Sequence, residues 1–415
     1  MLKIVHIASS DLGGAAISCI RLHQALLEMG VDSKLLTISK NKKRIINHFA
    51  YPDKKITLWD KVKNRLQFSE PSYIKHEKYL LNKVTGYEYF SFPESEYPLH
   101  NLELLQNADV INLHWVSGFI DYSSFFKKIK KPIVWTLHDM NAFTGGCHYS
   151  SGCTKYTNDC NICPQLEGTI NPTISRQNLS VKQDSLIKSD LTVVTPSVWL
   201  KKCAEKSTIL KTKAIHVIPY SLDLAIFKPM NQADARMKLR LPLDTKVILF
   251  VSQSVQNKRK GFDLLLKSIS LLSASDKFVI CSVGQMNEVP ENYISLGEIQ
   301  KEEQMALAYN AADVFVLPSK EDNLPNVVME SIACGVPVIG FDIGGMPDMI
   351  KHNFNGLLCK DLDPLELSKT IAHFFSGDVK FDREEIRKDA EIRYNNTLQA
   401  KAYFSLYKQM VLKQN

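Results

Sequence analysis

No apolar run in this 415-residue sequence approaches the ~20 residues that span a bilayer, so a helical membrane crossing is not expected. The opening MLKIVHIASSDLGG has one lysine and a short apolar stretch but no small-residue cleavage site. It therefore reads as a first strand and not as a secretory leader, and a cytoplasmic protein is expected. Internal repeats and low-complexity tracts are missing too, which excludes a solenoid or a long linker. Apolar content of 45% with 23% charged residues excludes general disorder. What the chain has is length: too much for one ordinary core, and suited to two domains of ~200 residues each.

The net charge of +7 is unevenly placed. From Lys40 to Lys83 there are twelve Lys/Arg against four Asp/Glu, which accounts for the whole excess. Phe49, Tyr51, Trp59, Phe68, Tyr73 and Tyr79 are interleaved with these charges. Two readings stay open for this 40–99 insertion: an anionic membrane surface as partner, or solvated charges with the aromatics packed on the domain. Nucleic acid is not expected as a partner.

Apolar strands alternate with amphipathic helices along the chain, the pattern of doubly wound parallel sheets. Strands are expected at 3–8, 33–38, 110–114, 132–137, 191–195 and 215–219, with helices at 17–29, 120–129 and 174–187. A second alternating set has strands at 246–251, 278–284, 314–317 and 336–341, with helices at 261–272, 302–312, 326–334 and 364–375. One long polar–apolar stretch, 383–413, closes the chain. The expected division is an α/β chain with a first Rossmann-like domain at 1–219, a second at 220–395 and a terminal helix at 396–415.

The most informative segment is 319–350, SKEDNLPNVVMESIACGVPVIGFDIGGMPDMI. A strand ends in Pro318-Ser319, an acidic loop opens a helix, and the next strand ends in Gly344-Gly345. Loops of this kind lie at the carboxyl edge of a parallel sheet, where α/β proteins bind ligands. Asp322 and Glu330, eight residues apart, bracket the loop and its helix. This segment resembles the donor-binding signature of retaining glycosyltransferases of family 4, which have the two-domain GT-B fold. The resemblance covers nearly the whole chain outside 40–99.

The resemblance implies a nucleotide-sugar donor, with Glu330 holding ribose hydroxyls and either Asp322 or Glu321 facing the sugar. Asn326, Gly344 and Gly345 fall in the same donor site. The turn Asp11-Leu12-Gly13-Gly14 follows a strand and opens a helix, so Gly13 and Gly14 let the backbone approach an anion. Lys260, just before Gly261, matches the family lysine that neutralises the donor diphosphate without a metal ion. Ser252, Gln253 and Ser254 stand where the family commonly has an arginine, so Arg259 is the candidate for the second charge. His138, ending a buried-looking strand, matches the acceptor-domain histidine that contacts the transferred sugar, and His114-Trp115 ends a neighbouring strand in the same way. No carboxylate nucleophile is evident on the acceptor side. The resemblance implies front-face displacement, in which the leaving diphosphate deprotonates the acceptor hydroxyl.

Within the loop 140–170, Cys147, Cys153, Cys160 and Cys163 fall in seventeen residues. A cytosolic setting keeps such thiols reduced, so a structural Zn2+ is favoured over disulfides, with His148 as an alternative ligand. The expected activity is transfer of a sugar from a UDP- or GDP-sugar to a hydroxyl of a glycan or lipid-linked saccharide in surface polysaccharide synthesis. It would take place in the cytoplasm or at the inner membrane face and need no catalytic cofactor. The rivals are a sugar-nucleotide epimerase or hydrolase on the same fold, a basic zinc-containing nucleic-acid binder, and a transferase-like subunit without activity.

Overall fold

The computed structural model describes residues 1–42, 44–52, 72–254, 257–272, 277–285 and 292–414. Much of the basic stretch (Lys43, Lys54, Lys55, Trp59, Lys61, Lys63, Arg65 and Phe68) lies outside the described residues.

Two parallel sheets carry the fold. The first contains β1 (Lys3–Ile7), β2 (Asp32–Thr37), β3 (His48–Ala50), β4 (Val110–Leu113), β5 (Ile133–Thr136), β6 (Leu191–Thr195) and β7 (Ala214–Val217), in the order β3-β2-β1-β4-β5-β6-β7. The second contains β8 (Lys246–Ser254), β9 (Phe278–Gln285), β10 (Tyr293–Ser295), β11 (Val314–Leu317), β12 (Val338–Phe341) and β13 (Gly356–Cys359), in the order β10-β9-β8-β11-β12-β13. Helices cover both faces of each sheet, and this is why β4, β5, β11 and β12 are short apolar strands buried along their whole length. The strand order reverses between β1 and β4, and again between β8 and β11, which opens a crevice at each carboxyl edge.

The register aims the loops at those crevices. Ile7 pairs with Leu113 and Leu113 with Trp135, so Asp11–Gly14, His114-Trp115 and His138-Asp139 all leave the sheet at one edge. Likewise Leu317 pairs with Gly340, which sends the acidic loop and Gly344-Gly345 out together.

The expected 383–413 stretch is two helices, Arg383–Arg393 and Asn396–Gln414. The break at Tyr394 exists because its carbonyl accepts the Leu222 N–H of the interdomain segment at 2.9 Å. The last helix then packs on the first sheet: Tyr403 and Tyr407 are fully buried against Ile4, Leu26, Val110 and Val194. Their hydroxyls bond Thr136 at 3.0 Å and Asn112 at 2.7 Å, so two buried polar groups inside the sheet are satisfied. The 40–99 stretch is more than a solvated insertion. It supplies β3 to the sheet edge and buries Phe90 and Phe92 in a small core with Leu166 and Ile174. Short strands β10 and β13 and the helices Val198–Lys206 and Gln232–Leu239 were not expected from the sequence pattern. Among the described residues no helix is long and apolar enough to cross a membrane.

Candidate active site

A cavity of about 590 Å3 separates the carboxyl edges of the two sheets. The first domain contributes Gly13, Gly14, Trp115, His138, Asp139, Tyr149 and Glu88; the second contributes Asn257, Arg259, Lys260, Asp322, Asn323 and Asn326.

On the second domain, two loops are locked backbone to backbone. Gly261 has φ +69°, and a Cβ there would sit 1.8 Å from the Pro318 carbonyl oxygen, so only glycine fits. That contact sets the cations of residues 259–260 beside the acid of the next loop. Lys260 Nζ lies 2.8 Å and the Arg259 guanidinium 3.2 Å from Asp322 Oδ2. Burial opposes ionisation of Asp322, but the two cations hold its carboxyl down to about 2. Arg259 also pairs with Glu88 of the first domain at 2.6 Å and lies over the Tyr149 ring, 4.0 Å from its centroid. Asn257 Nδ2 donates to the same Glu88 oxygen at 2.8 Å.

The two acids left open by the sequence point different ways. Asp322 lines the cavity. Glu321 turns to the Cys-rich loop, where the Ser151 N–H donates at 2.7 Å and the Ser150 hydroxyl at 3.2 Å, while burial raises its pKa. Glu330 is not among the cavity-lining residues. One of its oxygens faces Arg21 at 3.4 Å and the other accepts from Tyr309 at 3.1 Å; burial raises its pKa despite Arg21. Gly344 and Gly345 sit behind the acidic loop. Added Cβ atoms would come within 2.1 Å and 1.6 Å of the Asp322 and Asn323 carbonyl oxygens, so these glycines let one loop buttress the other.

On the first domain, Gly13 takes φ +89° and opens the Gly14–Glu28 helix toward the cavity. Asn326 Nδ2 donates to the Gly14 carbonyl at 3.1 Å, joining this turn to the second domain. His138 reaches the cavity, yet both ring nitrogens are taken: Nε2 faces His114 Nδ1 at 3.0 Å and Nδ1 faces the Tyr220 hydroxyl at 2.7 Å. Burial holds its pKa down to about 4, so the ring is neutral. Its carbonyl accepts from Asn323 at 3.1 Å. Trp115 Nε1 donates to Asp139 at 2.9 Å, and His148 pairs with the same carboxylate at 2.6 Å.

Cys147, Cys153, Cys160 and Cys163 line one small cavity beside this site. The donor chemistry fits zinc, but a Zn2+ ~2.3 Å from every sulfur needs sulfurs nearly in contact. The structure instead has one group of three donors within 4.8 Å of each other, His6, Cys19 and His114, among the described residues. Burial pushes the Cys147 thiol up and Cys160 to about 11. Lys182, fully buried, ties the loop down through the carbonyls of Asn141 and Thr144, and burial lowers its ammonium to about 8. Sequence reasoning missed Glu88, Tyr149, Tyr220, Arg21 and Lys182 as site or supporting residues.

Residues 245–376 match the family model described as Glycosyl transferases group 1. A D-inositol 3-phosphate glycosyltransferase of Mycolicibacterium gilvum is 28% identical over 202 residues, 45% of each chain. One of Xylanimonas cellulosilytica is 29% identical over 290 residues, covering 65% of this chain and 64% of that protein. The chain thus spans about half the length of most curated relatives it matches. In three dimensions it is similar to the sucrose-phosphate synthase of Thermosynechococcus elongatus, with TM-score 0.70 and 19% identity over all of both chains. It is also similar to Anabaena HepE in complex with UDP-glucose, with TM-score 0.66 and 14% identity over 99% of this chain and all of that one. The fold is the two-domain GT-B fold, and residues 245–376, which match the glycosyl transferases group 1 model, fall in its second domain.

Proposed function

We propose that this chain is a retaining glycosyltransferase moving a hexose-type sugar from a UDP- or GDP-sugar to a hydroxyl of a glycan. The observation that carries this reading is the convergence of Arg259, Lys260 and Asp322 opposite Gly13 and Gly14 across the interdomain cavity. Two cations and a helix N-terminus suit a diphosphate. In the step proposed, the bond from the anomeric carbon to the diphosphate oxygen breaks as the acceptor oxygen bonds to the same face. The acceptor proton passes to the departing phosphate. Lys260 and Arg259 offset the charge that develops there, and no metal ion is required for that task. The complex of Anabaena HepE, a protein of similar fold, with UDP-glucose supports a nucleotide-sugar donor.

A glycan acceptor is supported by a neighbouring groove of about 750 Å3, lined by Tyr51, Tyr73, Tyr89 and Tyr97 with Glu77, Glu94 and Glu96. Tyrosine faces and carboxylates suit the apolar and hydroxyl sides of sugar rings. The Tyr89 ring lies 6.2 Å from Trp115, which lines the donor cavity. The lipid-linked part of the acceptor, in surface polysaccharide synthesis at the inner membrane face, rests on the basic stretch 40–83. It predicts binding to anionic vesicles that disappears when those lysines are neutralised. A structural zinc in the four-cysteine loop belongs to the same reading.

The test is thermal stabilisation by UDP, GDP, UDP-glucose and GDP-mannose, with and without Mg2+. At a hundredfold excess over Kd, a ligand stabilises by ~2.7 kcal/mol. The reading requires a shift from one base family, independent of Mg2+ and abolished by Lys260→Ala. No shift from any of the four would sink it.

A further inference from the structure

Both nitrogens of His138 are used inside the protein, and the row they belong to is long. His6 Nδ1 faces His114 Nε2 at 3.0 Å, His114 Nδ1 faces His138 Nε2 at 3.0 Å, and His138 Nδ1 faces the Tyr220 hydroxyl at 2.7 Å. The rings of His138 and Tyr220 stack with centroids 5.3 Å apart at 20°. His6 and His114 are buried, whereas Tyr220 lines the cavity that holds Asp322 and Lys260. Its backbone is pinned by neighbours: Gln399 Nε2 donates to the Pro219 carbonyl at 2.8 Å, and Ser221 Oγ donates to Gln399 at 2.7 Å.

We infer that the Tyr220 hydroxyl, and not the His138 imidazole, is the polar group this end of the cavity presents to the transferred sugar, and that His138, His114 and His6 position it as a hydrogen-bond donor.

The direction follows from the far end of the row. In a file of neutral imidazoles each ring has one N–H, so all the hydrogen bonds run the same way. Burial depresses the pKa of His6 and His114 well below its ordinary value and that of His138 to about 4, so all three are neutral at working pH. His6 Nε2 is buried with no hydrogen-bond partner among the described residues. If every ring were protonated at Nε2, this atom would be a buried N–H without an acceptor, the rarer and costlier kind of orphan. Protonation at Nδ1 throughout leaves only a lone pair there, the less costly orphan. One donor atom each from His6, Cys19 and His114 lies within 4.8 Å of the others. Then His138 Nδ1–H donates to the Tyr220 oxygen, and the Tyr220 O–H is left to point into the cavity. Reading the same three residues as a metal set is weaker. The nitrogens between the rings are already engaged, which leaves His6 Nε2 and Cys19 Sγ, fewer than the three protein ligands of a zinc site.

This rests on the transferase reading, so the experiment separates the two. Affinities for UDP and UDP-glucose, or GDP and GDP-mannose, and transfer or donor-hydrolysis rates are measured for wild type, Tyr220→Phe, His114→Asn and the double variant, with melting curves as a check on folding. His6→Asn, farther from the cavity, replaces His114→Asn if the latter does not fold. Tyr220→Phe is expected to keep nucleotide affinity, lose the extra affinity for the sugar conjugate and lower kcat about 10- to 100-fold. His114→Asn is expected to lower kcat less, and to have no further effect in the Tyr220→Phe background, because the row acts only through that hydroxyl. Wild-type kcat and sugar preference in Tyr220→Phe, or equal losses from His114→Asn in both backgrounds, would overturn the inference. Wild type that binds none of the four ligands overturns the transferase reading and this inference with it.

Discussion

Glu88→Gln is expected to tighten nucleotide binding. Glu88 sits in the first domain, yet its carboxylate holds Arg259 at 2.6 Å and Asn257 at 2.8 Å in the second. A diphosphate arriving at Lys260 must draw Arg259 away from this carboxylate and also feels its negative charge. Two unit charges about 4 Å apart interact by ~4 kcal/mol at an effective dielectric of 20. The Glu88 side chain is 23% exposed and that of Arg259 11%, so solvent and the second partner, Asp322, screen part of this. A net competition of ~1–2 kcal/mol remains, which corresponds to a ~5–30-fold lower Kd for UDP or GDP in the glutamine variant. Titration calorimetry at 50 mM and 300 mM salt measures it, and the gain should shrink at high salt. The pH dependence has a definite sign. Burial raises the Glu88 pKa, but Arg259 and Asn257 more than offset this and leave it below its ordinary value. Wild-type affinity should therefore approach that of the variant only below the normal carboxylate range. Unchanged or weaker binding by Glu88→Gln at neutral pH would refute the competition.

Three further outcomes follow from the same geometry. Gly261→Ala forces a Cβ into the Pro318 carbonyl at φ +69°, so it should cost about 2–4 kcal/mol and lower the melting temperature of the second domain by about 5–15 °C; a change under 2 °C would contradict the packing. Asp322→Asn should cost about 2 kcal/mol at neutral pH, since a carboxyl lowered from 3.8 to about 2 contributes stability above its unfolded pKa that fades as pH falls toward 2. It should keep nucleotide binding and lose transfer, and equal melting temperatures of the two proteins at pH 7 would contradict the ion-pair account. A zinc in the four-cysteine loop would require its sulfurs to draw together from the arrangement described; elemental analysis then finds ~1 zinc per chain, lost with lowered stability in Cys153→Ser and Cys160→Ser, whereas metal-free protein whose melting is indifferent to EDTA excludes it.

The sheets were legible because buried parallel strands leave a plain mark, a short apolar run ending in glycine, proline or an acid. The runs before Pro318 and Asp342 are of this kind, and that before His138 meets Asp139 one residue later; the parallel order then sends their loops to one edge. Short strands such as Tyr293–Ser295 left no such mark, having only three residues and one buried side chain. Lys260, Asp322 and His138 were legible as candidates because each lies next to a loop signal. Their partners were not. Glu88 meets Arg259 across 171 residues of sequence and His6 meets His114 across 108, and no local spacing encodes such pairs. His138 lies at the cavity, where the sequence puts it, but the hydrogen bonds that engage its nitrogens come from residues 24 and 82 positions away.

The donor-signature segment has a second use, visible only in three dimensions. Five of its polar residues are held by the first domain: Glu321 by Ser150 and Ser151, Asp322 by Tyr149 at 3.5 Å, Asn323 by Ser197 and the His138 carbonyl, Asn326 by Gly14 and Ser18, and Glu330 by Arg21. Arg21 bridges onward to Glu302 at 2.7 Å, so this one buried guanidinium ties two acids of the second domain to the first helix of the chain. The residues that would grip a donor are therefore also the residues that hold the two domains together. Under the proposed function, bringing the domains together and completing the donor site would be one event, because the same carboxylates and amides serve both. A substitution at Glu330 consequently removes an interdomain contact together with any ribose contact. Loss of activity there assigns the ribose role only if Arg21→Met, which breaks the same bridge from the other side, leaves nucleotide affinity intact.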